Sequence, residues 1–278
     1  MLTQLVIWLN ALANWTVGVL LSPVAWLPGW LSATLVAAVT GVTMLYVFKL
    51  TSNQAAIGRT RNQISACLLG LSLFKEDFRV GLKLQISLIG YGLQLLLHSL
   101  IPMLVMTVPM VLILSQLALW YQARPLKPNE EAIVAVFLNP NAPVALQTIQ
   151  LEPPPGTDVS AGPVRVASKS MACWQLQSSE AEMQLLTFTV GAEQFTKELA
   201  VGNGFSPVSL ERPGWNWLSA MLHPREQPFP PGSAVQSIEV TYPERISWIY
   251  GTHSWLWYWF LMSLVAAFIA KPFLGVNL

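Results

Sequence analysis

Charged residues are scarce in this sequence, and their absence is concentrated in three segments. Only 10% of the 278 residues are charged, whereas 53% are hydrophobic; soluble domains usually carry about 25% charged residues. Residues 1–48, 84–123 and 246–270 contain no Asp, Glu, Lys or Arg. Because charge-free apolar runs of about 18 residues or more are typical of membrane-spanning helices, the sequence predicts an integral membrane protein.

The residues that most enzymes and metal sites use are also few. Cys67 and Cys173 are the two cysteines, and we expect them on opposite sides of the membrane, which argues against a structural disulfide. His98, His223 and His253 stand far apart, and neither a phosphate-binding GxxxxGK[ST] loop nor a GxSxG nucleophile turn occurs. We therefore expect no catalytic residue, no cofactor, no metal and no enzymatic activity.

Two of the apolar segments predict clear spans. Residues 30–48 form the first span, which Lys49 closes, and residues 246–270 form the last span, with Lys271 at its end. Short loops rich in Lys and Arg stay in the cytoplasm, so both spans are expected to run from outside to inside.

The other two apolar segments leave alternatives open. Residues 1–22 fit a helix in the outer membrane interface, which we favour, or a true span. The 40 uncharged residues at 84–123 fit two spans joined by a turn, or a short helix at 85–100 followed by one span. We favour a single net crossing, which places the next domain outside the cytoplasm.

Residues 51–83 form a basic island with a helical pattern. Thr51 and Gln54 resemble a capping box. Apolar residues at helical spacing predict one stripe, formed by Ile57, Ile64, Leu68, Leu71, Phe74, Phe78 and Leu82. The cytoplasmic basic face consists of Arg59, Arg61, Lys75, Arg79 and Lys83. This helix either contacts a substrate or ribosome, or rests on the inner leaflet with its arginines at anionic lipid.

Residues 124–245 read as an all-β domain. Seven short runs predict strands, at 132–138, 144–151, 163–168, 172–177, 183–190, 193–201 and 235–242. Their number and spacing favour an immunoglobulin-like sandwich with Trp174 as its buried anchor. Within residues 212–232, a short helix is expected either to dip into the outer interface or to cap the sandwich.

Uncharged polar residues interrupt the apolar segments. Polar groups in hydrocarbon require partners, so they face other helices or a wet cavity. Helix contacts are the ordinary explanation for any single one. The alternative is a wet groove, and the residues proposed to line it are Tyr46, Gln94, His98, Thr107 and Gln116.

The order of parts resembles the YidC/Oxa-type insertase superfamily, especially its minimal three-span ER and archaeal branch, and bacterial membrane proteins of this layout. The stretches "VTMLYVFKLTSNQAAIGRTRNQI" (42–64) and "LIPMLVM" (100–106) carry the resemblance, which covers about 100 residues with the last span. It implies a hydrophilic groove, open to the cytoplasm, that guides incoming membrane segments. Bacterial insertases keep an arginine in this groove, whereas no span here is charged.

These observations predict an α-helical membrane protein with an inserted β-sandwich. The expected divisions are an interfacial helix and first span (1–50), the basic helix (51–83), a second membrane segment that could be a hairpin (84–123), the β-sandwich (124–245), and a last span with a short tail (246–278). We expect a membrane-protein biogenesis factor of the bacterial inner membrane, with the β domain outside. Its expected partners are the lipid bilayer and nascent membrane proteins, and no nucleic acid. The alternative is a structural or assembly subunit of a membrane complex whose sandwich binds a partner outside.

Overall fold

The computed structural model describes residues 1–27, 29–74, 76–139, 146–191, 193–245 and 255–276. The chain divides into two compact units. Residues 1–32 and 111–255 form the first, called the β unit, and residues 33–110 and 256–278 form the second, called the helical unit.

Within the described residues, four helices are long and apolar enough to cross a membrane, judged by length and composition. They are α1 (Leu2–Leu21), α2 (Gly29–Thr51), α4 (Phe78–Tyr121) and α6 (Trp255–Leu274). The shorter or more polar helices are α3 (Gln54–Leu73) and α5 (Trp217–Leu222). The sequence prediction of apolar helices beside a separate β region is therefore confirmed at this level, while residues 246–254 of the predicted last span lie outside the described residues.

Helix α4 is continuous over 44 residues, with Pro102 and Pro109 inside it. At 1.5 Å per residue it is about 66 Å long, roughly twice the hydrocarbon thickness of a bilayer. The Asp77 carboxylate caps its first turn by accepting hydrogen bonds from the backbone N–H groups of Arg79 and Val80. The segment therefore differs from both alternatives drawn from the sequence, because neither a hairpin turn nor a helix break occurs between Phe78 and Tyr121.

The basic island contains a helix break and a different cap from the one expected. Asn53 is the N-cap of α3, and its side chain accepts a hydrogen bond from the Ala56 N–H. Thr51 instead donates to the Val47 carbonyl at the end of α2, so the predicted capping box at Thr51 and Gln54 is wrong. Since α3 ends at Leu73 and α4 begins at Phe78, the predicted stripe is divided between two helices.

The stripe is also largely exposed. Ile57 is buried, and Ile64 and Leu71 are half-buried. The other four members are exposed, and they are Leu68, Phe74, Phe78 and Leu82. The buried face of α3 carries Ala56, Ile57, Thr60 and Cys67, so Ile57 is the one stripe residue on it.

The described part of the β unit forms two antiparallel sheets. Their strands are β1 (Glu131–Leu138), β2 (Ile149–Glu152), β3 (Thr157–Val166), β4 (Met171–Ser178), β5 (Met183–Val190), β6 (Glu193–Ala200), β7 (Glu211–Arg212) and β8 (Val235–Val240). The five-stranded sheet has the order β3-β4-β1-β8-β7, and the three-stranded sheet has the order β2-β5-β6.

The two sheets share one core. Inward positions alternate along β1, β4 and β5, as period-2 strands with one buried face require. Trp174 of one sheet is 3% exposed and meets Phe188 of the other edge to face, with ring centroids 5.6 Å apart. The prediction that Trp174 is a buried core residue is confirmed.

Candidate functional site

The residues proposed to line a groove are divided between the two units. Tyr46, Gln94, His98 and Thr107 belong to the helical unit, and Gln116 belongs to the β unit. Tyr46 is 50% exposed, Gln94 and Thr107 are exposed, and His98 is half-buried.

Two of these residues form hydrogen bonds to backbone carbonyls of their own helix. His98 Nδ1 lies 2.7 Å from the Gln94 carbonyl, and Thr107 Oγ1 donates to the Met103 carbonyl at 2.9 Å. Residues nine apart on a helix are separated by about 180°, so Thr107 points away from His98. Helix α4 therefore places Gln94 and His98 on one side and Thr107 on the other.

Gln116 is 3% exposed and part of a polar contact inside the β unit. Its Nε2 donates to Asn14 Oδ1 at 2.8 Å, and Asn14 Nδ2 donates in turn to the Pro224 carbonyl at 2.8 Å. Gln116 therefore links α4 to α1, and Asn14 links α1 to the segment after α5. Sequence reasoning identified Gln116 as polar within an apolar run but could not identify its partner.

Helices α2 and α6 form a close parallel pair in the helical unit. Thr34 and Tyr258 share a hydrogen bond of 2.5 Å, and Trp259 Nε1 donates to Thr40 Oγ1 at 3.0 Å. Near the other ends of the helices, Lys49 Nζ donates to the Leu274 carbonyl at 2.7 Å. Residues 34, 40 and 49 of α2 bond in this order to residues 258, 259 and 274 of α6, so the two helices run in the same direction.

The close approach of this pair depends on a glycine. A Cβ added at Gly41 would collide with the backbone carbonyl of Ser263. Small residues permit such approaches in membrane helix pairs. Gly41 was not identified from the sequence, although a small residue in the middle of an apolar helix is the signal that would have found it.

The residues of the predicted basic face are exposed where they are described. Arg59, Arg61, Arg79 and Lys83 all lie on the surface of the helical unit, and Lys75 lies outside the described residues. Arg59 Nε bonds to the Ala55 carbonyl of its own helix at 3.3 Å. The exposed guanidinium and ammonium groups can meet an anionic surface.

A buried charge network lies inside the β unit. The Lys197 side chain is fully buried, and its Nζ contacts the carboxylate of Glu226. The same ammonium donates to the Ser209 carbonyl at 2.7 Å and to Ser209 Oγ at 3.0 Å. Burial lowers the pKa of Lys197, and the neighbouring Glu226 opposes that shift.

The alternation of β6 is a sequence signal for this network. In "EQFTKELA", the alternation of β6 places Phe195, Lys197 and Leu199 on the inward face. A lysine at a core position requires a buried partner, and Glu226, which is 29 residues further along the chain, provides it.

A second titratable group of residues lies at the edge of the larger sheet. Glu211 and Glu239 face each other across β7 and β8, and His223 Nδ1 lies 3.4 Å from Glu211 Oε2. Burial raises the pKa of Glu211. Burial and the nearby charge of Glu211 both raise the pKa of Glu239. Burial lowers the pKa of His223. A small cavity of about 70 Å³ adjoins Glu211 and His223, too small for most organic ligands.

Among the described residues, no group of three or more His, Cys, Asp or Glu side chains could hold a metal ion. Both cysteines are free thiols. Comparisons with known proteins find no matching protein family, no matching curated protein and no matching solved structure. The arrangement of the residues themselves is therefore the basis of the functional proposal.

Proposed function

We propose that this protein is an insertase-like biogenesis factor of the bacterial inner membrane, which guides membrane segments along a polar path between its spans. In this proposal the β unit is an immunoglobulin-like sandwich outside the cytoplasm. The observation that carries the proposal is the parallel pair of α2 and α6, which a three-span core of the YidC/Oxa type requires of its first and last spans.

The ends of this pair support the same orientation. Lys49 and Lys271 both lie in the last turn of their helices. The positive-inside rule places such ends in the cytoplasm. Helix α4 then returns from the basic island toward the β unit.

Uncharged polar side chains on these helices supply hydrogen-bonding groups for an incoming segment. Gln94 exposes its amide, and Tyr46 is half exposed. A polar group moving into hydrocarbon loses its hydrogen bonds to water, at a cost of several kcal/mol. Side chains that replace some of these bonds would lower that cost without the desolvation penalty of a buried charge.

A second candidate is an assembly subunit whose β unit binds a partner outside the membrane. It is favoured by the bonds of His98 and Thr107 within their own helix, and by the use of Gln116 as an internal link. Polar atoms with local partners are ordinary features of membrane helices.

Photo-crosslinking separates the two candidates. A crosslinking amino acid placed at 46 or 94 in the full chain is expected to capture a nascent membrane segment during active synthesis. The matched control is position 103, since Met103 is 62% exposed and lies about 180° around α4 from Gln94. Capture of lipid alone at 46 and 94 would remove the insertase proposal. A stable partner captured only by a crosslinker at the exposed Ser179 of the β unit would favour the assembly subunit. Position 107 should behave like 103.

A further inference from the structure

The polar and apolar faces of helix α1 are exchanged relative to those of helices in soluble proteins. Its polar side chains Asn10 and Asn14 face the protein, with Asn10 only 6% exposed. Its outer stripe is almost entirely apolar and includes Leu2, Leu5, Trp8, Leu12, Trp15 and Val19, each at least 58% exposed. In a soluble protein the polar face is the outer one, so the surroundings of α1 are apolar.

The inward amides attach α1 to the segment around α5 within the β unit. Asn10 Nδ2 donates to the Ala220 carbonyl at 2.6 Å, and Asn14 Nδ2 donates to the Pro224 carbonyl at 2.8 Å. Helix α5 therefore lies beside the middle of α1.

Helix α5 continues the apolar surface. Trp217, Leu218 and Leu222 are 46%, 45% and 48% exposed, and Trp215 just before the helix is 41% exposed. Asn216 caps the helix by accepting a hydrogen bond from the Leu218 N–H. Tryptophan prefers the membrane–water interface, where the ring is buried and the indole N–H remains hydrated.

Charged residues beside α1 limit how deep it can lie. Asn10 and Asn14 line a cleft that also contains Arg225 and Glu226. Arg225 pairs with Glu198 at 2.9 Å, and the two side chains are 31% and 26% exposed. A partly open ion pair is costly at the centre of a bilayer but stable at headgroup level. The middle of a spanning α1 would lie at the centre, whereas an interfacial α1 keeps this pair near water.

We infer that α1 and α5 form a platform that lies in the bilayer interface and holds the β unit on the membrane surface. Helix α1 lies along the interface rather than crossing it, although its length would allow a crossing. The lipid interface meets the apolar stripe of α1 and the tryptophans around α5, and headgroups and water meet the cleft at Arg225. The inference holds for either of the two proposed functions.

Collision accessibility of spin labels in the full-length protein tests the platform. In a background with Cys67 and Cys173 replaced by alanine, single cysteines are placed at Leu12 and Leu222, and the protein is reconstituted in lipid nanodiscs. Leu185 is the matched control, since it is 57% exposed on β5 of the same unit. Labels at 12 and 222 should collide several-fold more with oxygen, relative to a water-soluble nickel complex, than the label at 185.

Depth along α1 tests the orientation. Leu5, Leu12 and Val19 lie on one stripe and are 58%, 61% and 58% exposed. In an interfacial helix the three labels report similar depths, whereas in a spanning helix positions 5 and 19 differ from position 12 by about 10 Å. A depth maximum at 12 would show that α1 crosses the bilayer and overturn the inference. Two results at position 222 would also overturn the inference. Nickel access equal to that at 185 would place α5 in water, and shielding from both oxygen and nickel would indicate that a protein covers α5.

Discussion

The ammonium of Lys197 and the carboxylate of Glu226 form an ion pair in the interior of the β unit, where both side chains are at least 93% buried. Ser209 Oγ contacts the same carboxylate, and its carbonyl accepts from the ammonium. The pair therefore has additional hydrogen bonds, which a buried ion pair requires to offset desolvation.

Replacing Glu226 with Gln should destabilise the β unit strongly. The amide keeps the shape of the side chain but leaves the Lys197 charge buried without its counter-charge, which costs about 3–5 kcal/mol. Hydrogen exchange of β6 amides in the full-length protein measures the change. Glu198→Gln is the control, because the pair with Arg225 is partly exposed and should be worth about 1 kcal/mol or less. Equal losses of stability from the two substitutions would show that the buried Lys197–Glu226 pair contributes no more than the exposed Arg225–Glu198 pair.

Glu130 should make the β unit sensitive to acid. Two hydrogen bonds of 2.7 Å from the Arg124 guanidinium lower the pKa of Glu130 from 4.5 to about 2. Because the folded-state pKa is the lower one, this stabilisation is complete above about pH 4.5 and is lost as the pH falls toward 2. Its size should be about 1 kcal/mol or less, since both side chains are more than a quarter exposed.

The matched variant for this pH dependence is Glu130→Gln. Its unfolding free energy should lie below that of the wild type at pH 6, and the two should converge as the pH falls through about 2. Denaturant unfolding of both proteins in detergent at a series of pH values measures the difference. A constant difference across the series would contradict the assignment.

The strands were predictable from the sequence because their pattern is local. In β1, β4 and β5, the alternation of apolar and polar residues directly reflects one buried face. Strand β7 has two polar residues, Glu211 and Arg212, and is defined by its pairing with β8 alone. No local pattern could have indicated it.

The helices and the groove residues were harder to predict for a different reason. The 40-residue uncharged run at 84–123 satisfies the hydrophobic pattern equally well as one helix or as a hairpin, and Pro102 made a break plausible. Polar residues in apolar runs indicate that partners exist but not which ones, so Gln116 was identified without Asn14. The opposite positions of His98 and Thr107, by contrast, could have been derived from helical periodicity.

Trp174→Ala should destabilise the β unit by about 3–5 kcal/mol, because it removes a large side chain from the contact between the sheets and leaves a cavity. Ile133→Ala on β1 is the control. Ile133 is 51% exposed, so its truncation should change the unfolding free energy by about 0.5 kcal/mol or less. Chemical denaturation in detergent, followed by near-UV circular dichroism, compares the two. An unchanged midpoint for Trp174→Ala would contradict its role in the core.

Gly41→Ala should weaken the α2–α6 pair. The added methyl group would collide with the Ser263 carbonyl, and because backbone cannot yield as a side chain does, the helices must separate. Over-packing of this kind costs about 1–3 kcal/mol. Gly18→Ala in α1 is the matched control, since an added Cβ there meets nothing within 4 Å and alanine favours a helix by up to about 1 kcal/mol. The melting temperature should fall for the first variant alone, and equal melting temperatures would contradict the close approach.

The orientation of the chain can be tested with two exposed serines. Residues 49–83 contain six basic and two acidic residues, so the positive-inside rule predicts that Ser65 on α3 is cytoplasmic and that Ser179, after β4, is outside. Both serines are exposed, so reactivity of cysteines placed there reports the side of the membrane rather than burial. With the native cysteines replaced, a membrane-impermeant maleimide added to intact cells should label position 179, and position 65 should react only after permeabilisation. Labelling of 65 and protection of 179 in intact cells would show the reverse topology. The ends of α2 and α6 that carry Lys49 and Lys271 would then lie outside, on the side of the membrane where no nascent segment emerges.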